Sequence, residues 1–186
     1  HLAFDLQGNL LVSNPGMSSH NSILLIDRYG KVIPLYGGFG RPQGLTVDSE
    51  GNIYVCDENN SRVQKWAPGA IEGITVAGGN GEGSADNQLS YPRSVTVDVS
   101  GNIYIADNYY RILKWEPSAT QGTTLMSVQD PIDISLDANG FIYVVESNKH
   151  RVQKHNLNNL EVGYEGMYSQ GVTVAGGNEY GSGIDQ

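Results

Sequence analysis

The stretch RPQGLTVDSEGNIYVCDENNSRVQKW, Arg41–Trp66, occurs three times in recognisable form. It returns as YPRSVTVDVSGNIYIADNYYRILKW, Tyr91–Trp115, and as DPIDISLDANGFIYVVESNKHRVQKH, Asp130–His155. A more divergent version, HLAFDLQGNLLVSNPGMSSHNSILLIDRYGKV, opens the chain at His1. Self-similarity on this scale marks repeated supersecondary units. The anchor prolines Pro42, Pro92 and Pro131 lie 50 and then 39 residues apart. Length therefore varies in the connectors and not in the phrases.

Each phrase reads as strands. LTVD, VTVD and ISLD alternate or nearly alternate, as short half-buried strands do. A D-x-x-G turn follows at Asp5–Gly8, Asp48–Gly51, Asp98–Gly101 and Asp137–Gly140. There the Asp side chain bonds its own backbone and Gly accepts positive φ, so the chain reverses. NIYVCD, NIYIAD and FIYVVE come next, rich in β-branched and aromatic residues. A short turn leads to RVQKW, RILKW or RVQKH, and ITVAGG or VTVAGG supplies a fourth strand. Four antiparallel strands make a small sheet that cannot bury both faces alone. Stacking such sheets around an axis solves this, which predicts an all-β β-propeller. The blades are expected at 1–41 (divergent, without its opening residues), 42–91, 92–130 and 131–186.

The glycine-rich phrase after ITVAGG, reaching to Tyr91, raises a second possibility, since glycines let backbone amides close on phosphate. The sequence has no G-x-x-x-x-G-K-[ST], no G-x-G-x-x-G and no helix for such a loop to open. The phrase is therefore read as an inter-blade connector.

The chain of 186 residues carries 24 glycines and 7 prolines, a balance that points to many turns in a globular fold. With 11 basic against 20 acidic residues, its formal charge is −9. That balance disfavours nucleic acid and anionic lipid as partners, and no apolar run approaches a membrane span. The single cysteine, Cys56, sits in a strand phrase and reads as a small buried hydrophobe.

The pattern of Pro-x-G variants, hydrophobic-x-hydrophobic-Asp, G-N-I-Y-V-x-D and R-V-Q-K resembles the NHL repeat, a blade motif of β-propellers. SNKHRVQK, Ser147–Lys154, carries the His and Arg of that motif, with Lys149 in place of the usual Asn. The section from VQKWAPGA through ADNQL resembles secreted, many-repeat NHL proteins. Such propellers commonly close with six blades, so the four seen here are expected to be part of a larger propeller or an assembly. Relatives bind RNA through a basic face, which 11 scattered Lys and Arg do not provide. Others are enzymes: an amidating lyase with a His-ligated zinc, and lactonases with a carboxylate-bound calcium. Of the four histidines, His1, His20, His150 and His155, none falls at equivalent positions of different blades. No nucleophile elbow or ordered Ser/His/Asp set stands in context.

Arg62, Arg111 and Arg151 each follow an acid at the end of the preceding strand, Asp57, Asp107 and Glu146. An anion pocket is one reading; a charge-assisted bond within each blade is the other, favoured because the pattern recurs. A catalytic site should break the repeat. Trp66, Trp115, Tyr54, Tyr104 and Tyr143 recur in register and are expected to pack. Tyr109, Tyr110, Tyr164, Tyr168 and Tyr180 fall in irregular segments and form the candidate contact surface. Asn59, in the sequon Asn59-Asn60-Ser61, is the candidate glycosylation site. No catalytic, metal or cofactor residue is assigned. The expectation is a non-enzymatic extracellular or cell-surface binding or assembly module, glycosylated, with protein or glycan partners and self-association. The alternative is a section of a propeller enzyme whose site lies partly outside this chain.

Overall fold

The computed structural model describes residues 1–16, 21–160 and 171–177. Its strands form four separate four-stranded sheets, each antiparallel and each in chain order. The first holds β1 (Leu2–Phe4), β2 (Leu10–Asn14), β3 (Ser22–Ile26) and β4 (Val32–Gly37). The second holds β5 (Pro42–Val47), β6 (Ile53–Asp57), β7 (Arg62–Trp66) and β8 (Ile74–Gly78). The third holds β9 (Pro92–Val97), β10 (Ile103–Asp107), β11 (Arg111–Trp115) and β12 (Thr123–Ser127). The fourth holds β13 (Pro131–Leu136), β14 (Phe141–Glu146), β15 (Arg151–Asn156) and β16 (Val172–Gly176). The first strands neighbour one another in the order β1, β5, β9, β13, so they stand innermost and the sheets radiate as propeller blades.

Burial follows from the stacking. In β6 and β10 all five residues are buried, because blades 2 and 3 each lie between two neighbours. In β2 and β14 burial alternates, one face being packed and the other open. Leu2 (65% exposed) and Phe4 (68%) lie on the open side of blade 1. Between blades 2 and 3, Tyr54, Cys56 and Val63 pack against Val95, Ile105 and Trp115. Cys56 is wholly buried, and burial first, then nearby carboxylates, push its thiol well above the ordinary value. The recurrent rings pack as expected: Trp66, Trp115, Tyr54 and Tyr104 are buried, while Tyr143 is half-buried on blade 4. Gly73 lies against the Trp66 indole and Gly122 against that of Trp115. His155 occupies the same niche against Gly171, so this histidine takes the place of a packing tryptophan.

The D-x-x-G turns are closed by their own aspartates. Asp48 Oδ1 accepts the N–H groups of Glu50 (2.9 Å) and Asn52 (2.9 Å). Its Oδ2 accepts from Asn52 Nδ2 (2.7 Å) and the Tyr54 hydroxyl (3.1 Å). Asp98 repeats all four bonds. Burial pushes these carboxyls upward, but the four donors outweigh it and hold both below the ordinary value.

At the opposite end of the blades stands the second repeated device. Arg62 Nε donates to Asp57 (2.9 Å), Arg111 to Asp107 (2.8 Å) and Arg151 to Glu146 (2.5 Å). Each acid also accepts a backbone N–H from the connector entering its own blade: Gly40 (2.7 Å), Ser90 (2.7 Å) and Gln129 (3.2 Å). Arg111 continues to the carbonyls of Ser84 (2.6 Å), Gln88 (2.9 Å) and Gly83 (3.3 Å). The glycine-rich phrase thus turns carbonyls, not amides, toward a guanidinium. It is a connector clamped by arginine.

Two tests follow from this packing. A Cβ on Gly44 would lie 2.5 Å from Ser94 Cα and 2.6 Å from the Arg93 carbonyl, both backbone. Gly44→Ala is expected to cost ~1–3 kcal/mol in urea unfolding through overpacking of adjacent inner strands. For Asp107, burial pushes the carboxyl up to about 6 against the opposing pull of Arg111 and the Ser90 N–H. The unfolded carboxyl titrates near 3.8, so the folded state binds this proton more tightly. Its contribution to stability is fully present below that value and is lost as pH rises to about 6. Asp107→Asn should remove this slope in unfolding curves taken across the window; parallel curves for both proteins would contradict the assignment.

Candidate binding surface at the mouth of the blades

The inner strands begin at the end of the blades where the arginine–acid pairs stand, and there the repeats disagree in sequence. Arg41 corresponds to Tyr91 and Asp130, and Gln43 to Arg93 and Ile132. Gly44 corresponds to Ser94 and Asp133, and Glu58 to Asn108 and Ser147. These side chains converge. Arg41 Nη1 meets Glu58 Oε2 at 2.7 Å, and Gln43 Nε2 donates to the same oxygen at 3.1 Å. Arg93 Nη1 reaches from β9 to Asp130, the residue just before β13, at 3.0 Å. Ser94 Oγ donates to Asp133 (2.6 Å) and accepts the Ile134 N–H (3.3 Å).

A cleft of about 270 Å³ opens among them, lined by His1, Arg41, Gln43, Glu58, Arg93 and Ile132. The Arg41 side chain is 52% exposed, while that of Glu58 is nearly buried. An arginine has five N–H donors. Each guanidinium therefore keeps donors for a carboxylate, carbonyl or hydroxyl of a ligand after binding its acid. Tyr91 and Asp130, both just before anchor prolines, hold φ of 52° and 46°. Left-handed backbone at non-glycine residues is costly and concentrates at functional positions.

The expected contact residues fall partly on this same end. Tyr109 (53% exposed) and Tyr110 (59%) occupy the turn after β10, and the Arg111 guanidinium lies 5.9 Å from the Tyr109 ring centre. Asn59 is exposed in the 3-10 turn Glu58–Asn60 after β6, its Nδ2 reaching the Gly40 carbonyl at 3.4 Å. Tyr164, Tyr168 and Tyr180 lie outside the described residues, as does His20. Arg62, Arg111 and Arg151 pair with the acids of their own blades, and Arg111 also binds carbonyls of its connector. Arg41, Gln43, Arg93 and Asp130 carried a signal that reading for recurrence passes over: they are the columns in which aligned repeats differ. Among the described residues, no three His, Cys, Asp or Glu side chains form a group that could hold a metal ion. No described helix is long and apolar enough to cross a membrane.

The NHL repeat family matches at residues 39–66 and 128–154, which are the anchor-proline phrases of blades 2 and 4. No curated protein matches the chain in sequence. Solved structures do match in fold. A chain of a nidogen/laminin complex superposes with a TM-score of 0.69 at 20% identity, over 85% of this chain and 60% of that one. A streptogramin B lyase gives 0.64 at 18% identity, over 90% and 52%. A gluconolactonase from Xanthomonas campestris gives 0.72 at 13% identity, over 91% and 59%. The chain thus spans little more than half the length of these structures. At such identities the likeness establishes the fold, which binding proteins and enzymes share. Anchor phrases, blade topology and these likenesses together establish a β-propeller fold that carries NHL repeats at residues 39–66 and 128–154.

Proposed function

We propose that this chain is a non-enzymatic binding module that acts outside the cell or at its surface and meets a protein or glycan through the mouth of its blades. The observation carrying this reading is the convergence of the non-repeating side chains Arg41, Gln43, Glu58, Arg93 and Asp130 at one end. Exposed Tyr109 and Tyr110 stand on that same end. Arginine and tyrosine are the residue types that dominate recognition surfaces. The propeller of the nidogen/laminin complex supports the reading as a fold of this kind found in a protein complex. Asn59, beside Glu58, is the proposed glycan attachment point, and self-association through the open faces of blades 1 and 4 would extend the module into an assembly. The second reading is a section of a propeller enzyme, favoured by the fold likeness to a lyase and a gluconolactonase.

The decisive experiment screens the chain against extracellular-protein and glycan arrays and repeats the positive interaction with variants. Arg93→Ala and Tyr109→Ala are each expected to weaken it by about tenfold or more, as loss of an interface anchor does. Turnover of streptogramin B or a lactone by the wild-type chain, lost in Arg93→Ala, would replace the binding reading with the enzymatic one.

A further inference from the structure

The end of the blades opposite the mouth carries a groove between blades 2 and 3. Between blades 1 and 2, Leu6 reaches the turn of blade 2, 3.3 Å from the position of a Cβ on Gly51, with Pro68 at 3.4 Å. Between blades 3 and 4, Leu157 and Leu160 pack onto the shared core. Between blades 2 and 3, the residue corresponding to Leu6 is Ser49, and the facing turn offers Ala119. A cavity of about 550 Å³ opens here, with Ser49 and Ala119 in its lining. It continues, through shared Thr75, Val76 and Ala119, into a second cavity of about 420 Å³.

The groove runs along β8, which closes its sheet and, among the described residues, pairs with β7 alone. A strand with one unpaired edge is a template for another extended chain. Five residues of strand span roughly 17 Å, and the two cavities together follow β8 from Ile74 to Gly78. Its lining mixes polar and apolar groups, with Val76, Val97 and Ile103 inside and the exposed side chains of Ile74 and Val99 at the opening. Its charge is one-sided: the carboxylates of Asp48, Glu50, Asp98 and Glu116 stand against the single ammonium of Lys65. Asp48 and Asp98 are already saturated by their turns. Glu116 is 69% exposed, and its one salt bridge, to Lys114, is at the surface.

We propose that this groove docks an extended cationic peptide segment of a partner protein. The segment adds to the free edge of β8, places alternate apolar side chains against Val76 and Val97, and directs its lysines or arginines to Glu50 and Glu116. Main-chain bonds supply affinity and the acidic rim supplies selectivity. This site is separate from the mouth of the blades and does not depend on what binds there.

The test uses fluorescence anisotropy with two labelled decapeptides, one alternating valine and lysine and one alternating valine and glutamate. The lysine peptide should bind and the glutamate peptide should not. Ser49→Leu and Ala119→Leu, which put a larger side chain into the groove lining, should each raise the Kd at least tenfold. Glu50→Lys with Glu116→Lys should reverse the order of the two peptides. Should Ala119→Leu disturb folding, judged by its melting curve, the exposed Ser49→Leu decides. The proposal is overturned by no binding of the lysine peptide, by equal binding of both peptides, or by unchanged affinity in a folded Ser49→Leu protein.

Discussion

A carboxylate buried at the end of the second strand organises blades 2, 3 and 4. Asp57, Asp107 and Glu146 each face an arginine of their own blade and a backbone N–H of the connector entering that blade. The connector must descend from the outer strand of one blade to the inner strand of the next. Its backbone groups need partners on the way. The acid supplies one partner and the arginine, in blade 3, supplies several. Blade spacing at the axis, and with it the placement of Arg41, Arg93 and Asp130, depends on where these connectors are held.

In blade 3 the pair does not owe its place to net stabilisation. Burial there outweighs the arginine, since the Asp107 carboxyl sits above and not below its ordinary value. Desolvation of a buried pair commonly offsets its attraction. Stability comes instead from the apolar faces between blades, where Ile105, Leu113 and Val55 are wholly buried. The ion pair fixes geometry within that packed stack. The turn aspartates at the other end behave oppositely, because their donors outnumber what burial takes away.

The fold was legible because its physics recurs. Period-two phrases, D-x-x-G turns and the Arg–acid pairing appear three times over, and each copy confirms the reading of the others. Tyr54 and Tyr104 pack, and Arg62, Arg111 and Arg151 pair with their acids, as the recurrence implied. The surface was harder to read for the same reason. Arg41, Arg93 and Asp130 sit among repeat residues, and only the stacking of inner strands brings Arg93 to Asp130 across 37 positions of sequence. Irregular segments led to Tyr109 and Tyr110, which stand on the same end as the arginine–acid pairs, but the charged residues beside them announce themselves only when repeats are compared column by column. The groove along β8 was invisible for a related reason: it opens beside Ser49, where the equivalent position of blade 1 holds Leu6, and that difference shows only when the repeats are aligned.

Native-state hydrogen exchange of the Gly40, Ser90 and Gln129 amides measures the connector latch directly. The account predicts protection close to that of the central strands, with all three amides opening only when their blades do. Exchange of these amides at the rate of exposed turns, while β6 and β10 stay protected, would show that the carboxylates do not hold the connectors and would contradict it.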